Sequence, residues 1–184
     1  GCDNQRGGWY DMMERTLKDG EENYRRVWHD RKAWWQQEQG ILAYYIMAGV
    51  YNDKPEYLNY AREGSAFYNG WFLDYEEGGI YFNVLANGQP YSLGSERGKG
   101  SHSMAGYHSF ELCFLSAVYT NLLVNKQPMD FFFKPNPQAW PDNKLRVAPD
   151  LLPEGSIELC EVWIDDKVYT DFDKKNLIVN LPDS

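Results

Sequence analysis

Aromatic and ionisable side chains come together at the predicted beginnings of two helices. Trp34 and Trp35 begin the first helix and Glu38 follows one turn later, while Tyr107 and His108 begin the second. Histidine exchanges protons near neutral pH, and tryptophan offers a flat apolar face. These residue types at helix beginnings favour two functions, acid–base chemistry by the histidine and stacking on a flat ring by the tryptophans.

Each of these residues also has a structural interpretation. A histidine in a first helical turn can bond a backbone carbonyl and do no chemistry. Both tryptophans can be core residues, and for Trp35 that interpretation is at least as strong, because adjacent helical side chains point about 100° apart. Glu38 and Glu111 can be solvated or ion-paired. The residue types alone leave these alternatives open.

Composition limits the classes of protein. The 184 residues suffice for one domain, or for one domain and a small appendage. An aromatic content of 16% supplies flat surfaces that fill cores and also stack on sugar rings. The net charge of −9 argues against a nucleic-acid partner and against an anionic membrane surface, because no basic patch is present. No apolar run approaches the roughly 18 residues of a transmembrane helix.

The cysteines bear on the compartment. Cys2, Cys113 and Cys160 are odd in number and far apart, which indicates free thiols in a reducing, cytoplasmic compartment. A lipid-acceptor role for Cys2 is the alternative. No P-loop, dinucleotide-binding, serine-nucleophile or zinc-protease motif is present, so we expect no cofactor and no metal.

The spacing of apolar residues predicts three helices in the first part of the chain. They span residues 33–50, 55–73 and 107–123. Asn87-Gly88 predicts a β-hairpin between segments 78–85 and 89–91. A weak repeat, Gly7-Gly8-Trp9-Tyr10 and Gly78-Gly79-Ile80-Tyr81, opens a strand pair before a helix each time. In the first copy, strands are expected at 7–14 and 24–28.

The second part of the chain is predicted to be β. Strands are expected at 145–147, 157–164, 167–170 and 177–180, with a turn at Asp165-Asp166. Residues 128–184 would form an appendage too small to be very stable alone. We therefore expect it to pack against the helical region, residues 1–127.

The motifs together resemble the N-acylglucosamine 2-epimerase family, which includes the disaccharide 2-epimerases. The resemblance covers roughly residues 5–126 and is to the C-terminal part of that family's (α/α)6 barrel. It implies a mainly α fold, part of an (α/α)6 barrel with short β-hairpins, followed by the β appendage. Three helices cannot close a twelve-helix barrel.

The resemblance also implies roles for particular residues. Tyr107-His108 match the pair that begins the family's last inward-facing helix, which makes His108 an acid/base residue. Trp34 and Trp35 match the paired tryptophans that line the sugar site. The other substrate-binding candidates are Glu38, which could bond sugar hydroxyls or orient a histidine, Lys99 of a Lys-Gly stretch, Tyr107, and Glu111 as a partner of His108.

Several positions depart from the family pattern. Ser103 or Met104 stands where the family has a tryptophan over the substrate, and Gly106 stands in place of a proline. The family's second catalytic histidine and its enediolate-binding arginine come from earlier helices, and nothing before residue 30 supplies those motifs. We therefore expect a fragment without the N-terminal catalytic portion. Arg97, Lys99 and His102 could instead bind an anionic sugar, or belong to a solvated loop.

The leading functional hypothesis is a sugar 2-epimerase or isomerase, or a fragment of one, that uses His108 to move the proton beside the sugar carbonyl. A non-catalytic carbohydrate-binding or structural module is the first alternative. A glycoside hydrolase-like piece with paired carboxylates is the second. The expected partners are a small carbohydrate, and either a second copy or the remainder of the barrel, because helices that are apolar on both sides leave exposed apolar area.

Overall fold

The computed structural model describes residues 1–94, 98–100, 103–104, 106–136, 142–147 and 152–182. The chain divides into two compact units, Gly1–Thr120 and Asn121–Ser184. The sequence placed this boundary after residue 127. No helix among the described residues is both long enough and apolar enough to cross a bilayer.

In the described part of the first unit, three α-helices lie close to where the sequence predicts them. Helix α1 spans Trp34–Val50, α2 spans Pro55–Trp71 and α3 spans Tyr107–Tyr119. Pro55 suits the first turn of α2, because its fixed φ is helical and the missing N–H would have no partner there. Both α2 and α3 pack against α1. The end predicted for α3 differs, because Thr120–Val124 form a π-helical turn.

A two-stranded antiparallel sheet lies directly before α1. Strand β1, Arg31–Ala33, pairs with β2, Asn83–Leu85, and Lys32 lies opposite Val84. Strand β1 was not predicted from the sequence. The pairing places the beginning of α1 beside segment 78–85, which starts at Gly78-Gly79.

The predicted hairpin forms only in part. Gly88 adopts φ 86° in the turn, and Leu85 N–H donates to the Gln89 carbonyl at 2.8 Å. Segment 78–85 is nevertheless not one continuous strand. Ile80 bridges to Leu73, Tyr81 bridges to Lys99 and β2 pairs with β1. Since the pairing partner changes along the segment, no long ladder develops.

The strands predicted at 7–14 and 24–28 are replaced by isolated bridges. Met13 pairs with Arg26, and Cys2 pairs with Trp9. The N-terminal segment is held by a side chain of α1, because Gln37 accepts from Trp9 N–H at 2.7 Å and donates to Trp9 O at 2.8 Å. A glutamine amide thus replaces the neighbouring strand.

Aromatic residues dominate the core of the first unit. It is built around residues from α1, from α2 and the residue that follows it, and from β2 and the residue that precedes it: Trp34, Ile41, Phe67, Tyr68, Phe72, Phe82 and Val84. Trp34 and Phe82 lie 4.5 Å apart between ring centroids. Burial of these large side chains joins the helices and sets the entry of α1.

The described residues of the second unit form five short strands. Strand β3, Lys144–Arg146, pairs with β7, Ile178–Asn180, which also pairs with β6, Phe172–Asp173. Strands β4, Val162–Ile164, and β5, Lys167–Tyr169, form a hairpin. The predicted turn between them is confirmed, with positive φ of 48° and 60° at Asp165 and Asp166. Strand β6 was not predicted, and β4 covers only the end of segment 157–164.

Candidate functional site

His108 lies in the first turn of α3 and faces the beginning of α1. Its ring centroid is 6.2 Å from that of Trp34, 6.0 Å from that of Trp35 and 4.9 Å from that of Tyr107. Although the two tryptophans are adjacent in α1, both approach the same imidazole because the first turn of α3 lies against the beginning of α1. The cluster predicted from two distant segments is therefore assembled in the fold.

The two tryptophans differ in their surroundings. Trp34 is 4% exposed and packs into the core, whereas Trp35 is 40% exposed. The interpretation of Trp35 as a core residue is therefore wrong. Trp34 packs on the core side of His108, and Trp35 presents an accessible indole beside it.

Gln39 connects His108 to Glu111. Its amide nitrogen lies 3.1 Å from His108 Nδ1 and donates to Glu111 Oε2 at 2.7 Å. The opposite orientation of the amide would place its oxygen against the carboxylate, so Glu111 keeps the N–H groups directed toward Nδ1. Nδ1 is then an acceptor, and a neutral imidazole carries its proton on Nε2. Tyr107 Oη also donates to Glu111, at 3.2 Å.

Glu38 lies in the core beneath His108 and is fully buried. Its Oε1 accepts from Tyr68 Oη at 2.5 Å and from Ser109 Oγ at 2.6 Å, while Oε2 has no hydrogen-bond partner among the described residues. Burial raises the pKa of the Glu38 carboxyl, and these two hydrogen bonds and the nearby His108 oppose that rise only in part. The interpretation of Glu38 as solvated or ion-paired is wrong.

Lys99 is engaged elsewhere. Its ammonium donates to Asp74 Oδ2 at 2.5 Å and to the Gly78 carbonyl at 2.8 Å. No described contact joins Lys99 to His108, and its substrate-binding role remains a prediction. Arg97 and His102, the other candidates for an anionic sugar, lie outside the described residues.

Three members of the cluster were not foreseen as site residues: Gln39, Tyr68 and Ser109. Ser109 is adjacent to His108 in the sequence, so its position on α3 was available as a signal. Gln39 and Tyr68 became recognisable only once α1, α2 and α3 were packed together, because their partners are distant in the sequence.

The described residues contain no group of three or more histidine, cysteine or acidic side chains placed to hold a metal ion. The cysteines Cys2, Cys113 and Cys160 are free thiols and exposed. The side chains gathered at the cluster supply one imidazole, two carboxyl groups, one amide, two indoles and the hydroxyls of Tyr68, Tyr107 and Ser109.

Comparisons with known proteins find similarity in part of the chain. No protein-family model matches it, and no curated protein matches it. A solved structure of cellobiose 2-epimerase from Spirochaeta thermophila is 23% identical, covering 51% of this chain and 23% of that chain, with a TM-score of 0.46. The cellobiose 2-epimerase of Bacillus thermoamylovorans is 24% identical, covering 48% and 21%, with a TM-score of 0.41. The chain spans less than a quarter of either enzyme.

Proposed function

We propose that this chain supplies one acid–base group of a sugar 2-epimerase or isomerase. His108 would exchange the proton on the carbon beside the carbonyl of an open-chain sugar. The observation that carries the proposal is the placement of His108 against Trp35, an accessible aromatic face, with Nδ1 bound to Gln39. Such an arrangement can hold an apolar ring face and present Nε2 to it.

The reaction needs few components. A base takes the proton from C2, and the electron pair of the C–H bond forms the C1–C2 double bond of an enediolate while the carbonyl oxygen becomes negative. Return of a proton to the opposite face of C2 gives the epimer. A hydrogen-bond donor beside the developing oxygen charge lowers the barrier.

The orientation of the Gln39 amide would decide whether His108 acts as a hydrogen-bond donor or as the base that accepts the C2 proton. With the amide N–H groups toward Nδ1, as in the structure, Nε2 carries the proton and can donate to the enediolate oxygen. For Nε2 to accept the C2 proton, the amide oxygen must turn toward the ring, and Glu111 opposes that rotation. Long-range proton–nitrogen NMR on His108 tests the geometry, because the Nε2–H tautomer should dominate when the ring is neutral and should lose that dominance in Gln39→Leu.

Glu38 would support the cluster from below. Because the carboxyl is fully enclosed, Glu38 would act on the cluster through its charge near His108 and its hydrogen bond from Ser109, without touching the sugar. Because burial raises its pKa, the Glu38 carboxyl holds a proton more readily than a solvated glutamate does. We therefore include Glu38 with His108 and Trp35 in the proposed site.

The test is isotope exchange at C2. The chain is incubated with a panel of reducing sugars in D2O, and the C2 proton is followed by NMR. We expect the signal to be lost and the loss to disappear in His108→Asn. Tyr75→Phe is the control, because Tyr75 is 76% exposed and has no described contact with His108.

The stereochemical result separates two versions of the proposal. Exchange with retention at C2 is expected if His108 acts from one face without a second group. Exchange with inversion would show that the chain also holds the second proton donor. Absence of exchange for every sugar would overturn the stand-alone enzyme.

A binding module without catalysis is the second candidate. It is favoured by one observation: no second histidine contacts the His108 cluster among the described residues. A sugar that shifts the Trp35 indole resonance but loses no C2 proton would identify this function.

A further inference from the structure

A second cleft lies in the first unit, formed by the segment before β1 and the segment after the hairpin turn. It has a volume of about 510 Å3 and is lined by Trp28, His29, Arg31, Tyr91 and Leu93, among others. This volume is within the range of small-molecule sites, roughly 300–1,000 Å3. None of these residues is among the described contacts of His108.

The aromatic walls of the cleft are held in place by one another. The Arg31 guanidinium lies 4.3 Å from the Trp28 ring centroid and 5.7 Å from that of Tyr91. Tyr91 Oη lies 3.2 Å from His29 Nε2, with the two rings 5.0 Å apart. His29 has a φ of 37°, a conformation rare outside glycine that brings its ring across to Tyr91. The cleft is therefore organised before any ligand arrives.

The charge of the cleft is balanced internally. Arg31 Nε donates to Asp11 Oδ2 at 2.7 Å, and Nη2 of the same guanidinium lies 2.6 Å from that oxygen in an ion pair, with the two side chains 14% and 12% exposed. An anionic ligand would have to compete with Asp11 for the guanidinium. A neutral ligand would not, and the remaining Arg31 N–H groups, the His29 ring and the Tyr91 hydroxyl could still bond its polar groups.

The exposed surface of the cleft combines apolar and polar side chains. Trp28 is 45% exposed and Leu93 is 69% exposed, although large apolar side chains are usually covered. Since Arg31 covers part of the Trp28 indole, the uncovered part is an open platform beside polar groups. A flat apolar surface with a polar edge matches the face and the hydroxyl edge of a pyranose ring.

We propose that this cleft is a separate binding site for a neutral carbohydrate ring, which stacks on Trp28 and bonds to His29, Arg31 and Tyr91. No reaction occurs in it. The proposal is independent of the function proposed for His108, because the cleft could hold a glycan whether or not the first cluster is catalytic.

The test uses methyl β-D-glucopyranoside, which has no free carbonyl and cannot be epimerised. It is titrated into the unmodified, 15N-labelled chain while the indole N–H resonances of the seven tryptophans are followed by NMR. The Trp28 resonance is assigned with Trp28→Phe. We expect it to shift saturably, with a Kd on the order of 1 mM.

Variants locate the ligand. Tyr91→Ala should weaken binding at least about tenfold, because it removes the second aromatic wall and the partner of His29. Trp163→Ala is the matched control, since Trp163 is 57% exposed but belongs to the second unit, and it should leave binding unchanged. The other indole resonances report whether Tyr91→Ala remains folded.

Three results would overturn the proposal. In the first, no indole resonance shifts up to the solubility of the glycoside. In the second, only the Trp34 or Trp35 resonance shifts, which places the sugar at His108 instead. In the third, methyl β-D-glucuronide binds more tightly than the neutral glycoside, which contradicts the neutral ligand class. Binding retained in His108→Asn would separate this site from the His108 cluster.

Discussion

Residues 3–8 and residues 74–79 form the same turn in two different environments. In each turn an aspartate Oδ1 accepts backbone N–H groups two and three residues ahead, from Gln5 and Arg6 or from Glu76 and Glu77. In each, a lysine donates both to the aspartate Oδ2 and to the carbonyl of the first glycine of a Gly-Gly pair. The repeated Gly-Gly-aromatic sequence is therefore part of a longer structural repeat.

The turns differ in what surrounds the ion pair. The Lys32 and Asp3 side chains are 0% and 3% exposed, and the Lys32 ammonium lies 3.7 Å from the Phe67 ring centroid. The Lys99 and Asp74 side chains are 28% and 12% exposed. Water can replace the partner of a surface charge, but it cannot reach a charge enclosed by the core. The same bonds should therefore have very different consequences when broken.

The lysine pKa values show the difference directly. Burial lowers the pKa of the Lys32 ammonium even though its bond to Asp3 acts in the opposite direction. The bond to Asp74 raises the pKa of the Lys99 ammonium. Desolvation outweighs pairing for the lysine of the first turn, and pairing outweighs desolvation in the second.

The largest effect is expected from Lys32→Met. Removal of the cation leaves Asp3 buried without a counter-charge, so the free energy of unfolding should fall by about 3–5 kcal/mol. Urea unfolding followed by tryptophan fluorescence measures it. The double variant Asp3→Leu with Lys32→Met should recover part of the loss, and a loss below about 1 kcal/mol would show that the pair is not desolvated.

The first glycines of the two turns provide the next test. Gly7 and Gly78 have φ of 81° and 75°, so Ala at either position should cost about 1–2 kcal/mol in backbone strain. At Gly7 an added Cβ would also lie 2.6 Å from the Glu63 carbonyl oxygen, whereas at Gly78 no described atom is within 4 Å. Urea unfolding should therefore show a larger loss for Gly7→Ala, and equal losses would contradict the close approach of α2 to the first turn.

Two buried carboxyl groups extend the comparison to pH. The Asp3 carboxylate is paired with the Lys32 ammonium. Burial acts to raise the pKa of Asp3, but the hydrogen bond and the charge of Lys32 outweigh it, so the pKa lies below its usual 3.8. Its stabilising contribution is thus present above pH 3.8 and is lost as the pH falls through the folded-state pKa. Glu38 has no ion-pair partner among the described residues, and burial raises its pKa above the usual 4.5, while its hydrogen bonds and the nearby His108 oppose that rise only in part. The contribution of Glu38 to folding stability therefore falls as the pH rises from 4.5 through its folded-state pKa.

Stability measured against pH for Asp3→Asn and Glu38→Gln checks these signs. Relative to wild type, Asp3→Asn should lose more stability at pH 6 than at pH 3. Glu38→Gln should gain stability relative to wild type between pH 3 and pH 6. The reason is that the amide keeps an oxygen acceptor for Tyr68 and Ser109 without becoming charged. Parallel curves for the two variants would refute the difference between the two carboxyl groups.

The smallest effect is expected from Lys99→Met. The ion pair that it removes lies at the surface, where solvent and salt screen the charges, so the urea midpoint should not change measurably. Repeating the measurement at low and high salt provides the control. A loss comparable to that of Lys32→Met would mean that the two turns are energetically alike.

Much of the fold could be predicted from local sequence. The periodicity of apolar residues located α1, α2 and α3, and Asn87-Gly88 and Asp165-Asp166 located two turns, because helix and turn geometry depends on residues close together in the chain. The early strands were predicted incorrectly. Their partners are single bridges and side-chain amides, which no alternating pattern records.

The sequence also identified His108, Trp34 and Trp35 as a group, from their residue types and their positions at helix beginnings. The geometry of the group depends on contacts across long stretches of chain. Gln39 reaches His108 and Glu111 only because α3 packs on α1, and Glu38 meets Tyr68 only because α2 does.

The sequence by itself determined the helices, the two turns and the residue types that can exchange a proton or stack on a ring. Only the tertiary structure decided that Glu38 is buried, that Trp35 is exposed and that Lys99 binds Asp74. The physical reason is that periodicity reports which face of an element is apolar. Burial, charge compensation and hydrogen-bond partners are set by whichever distant element packs against that face.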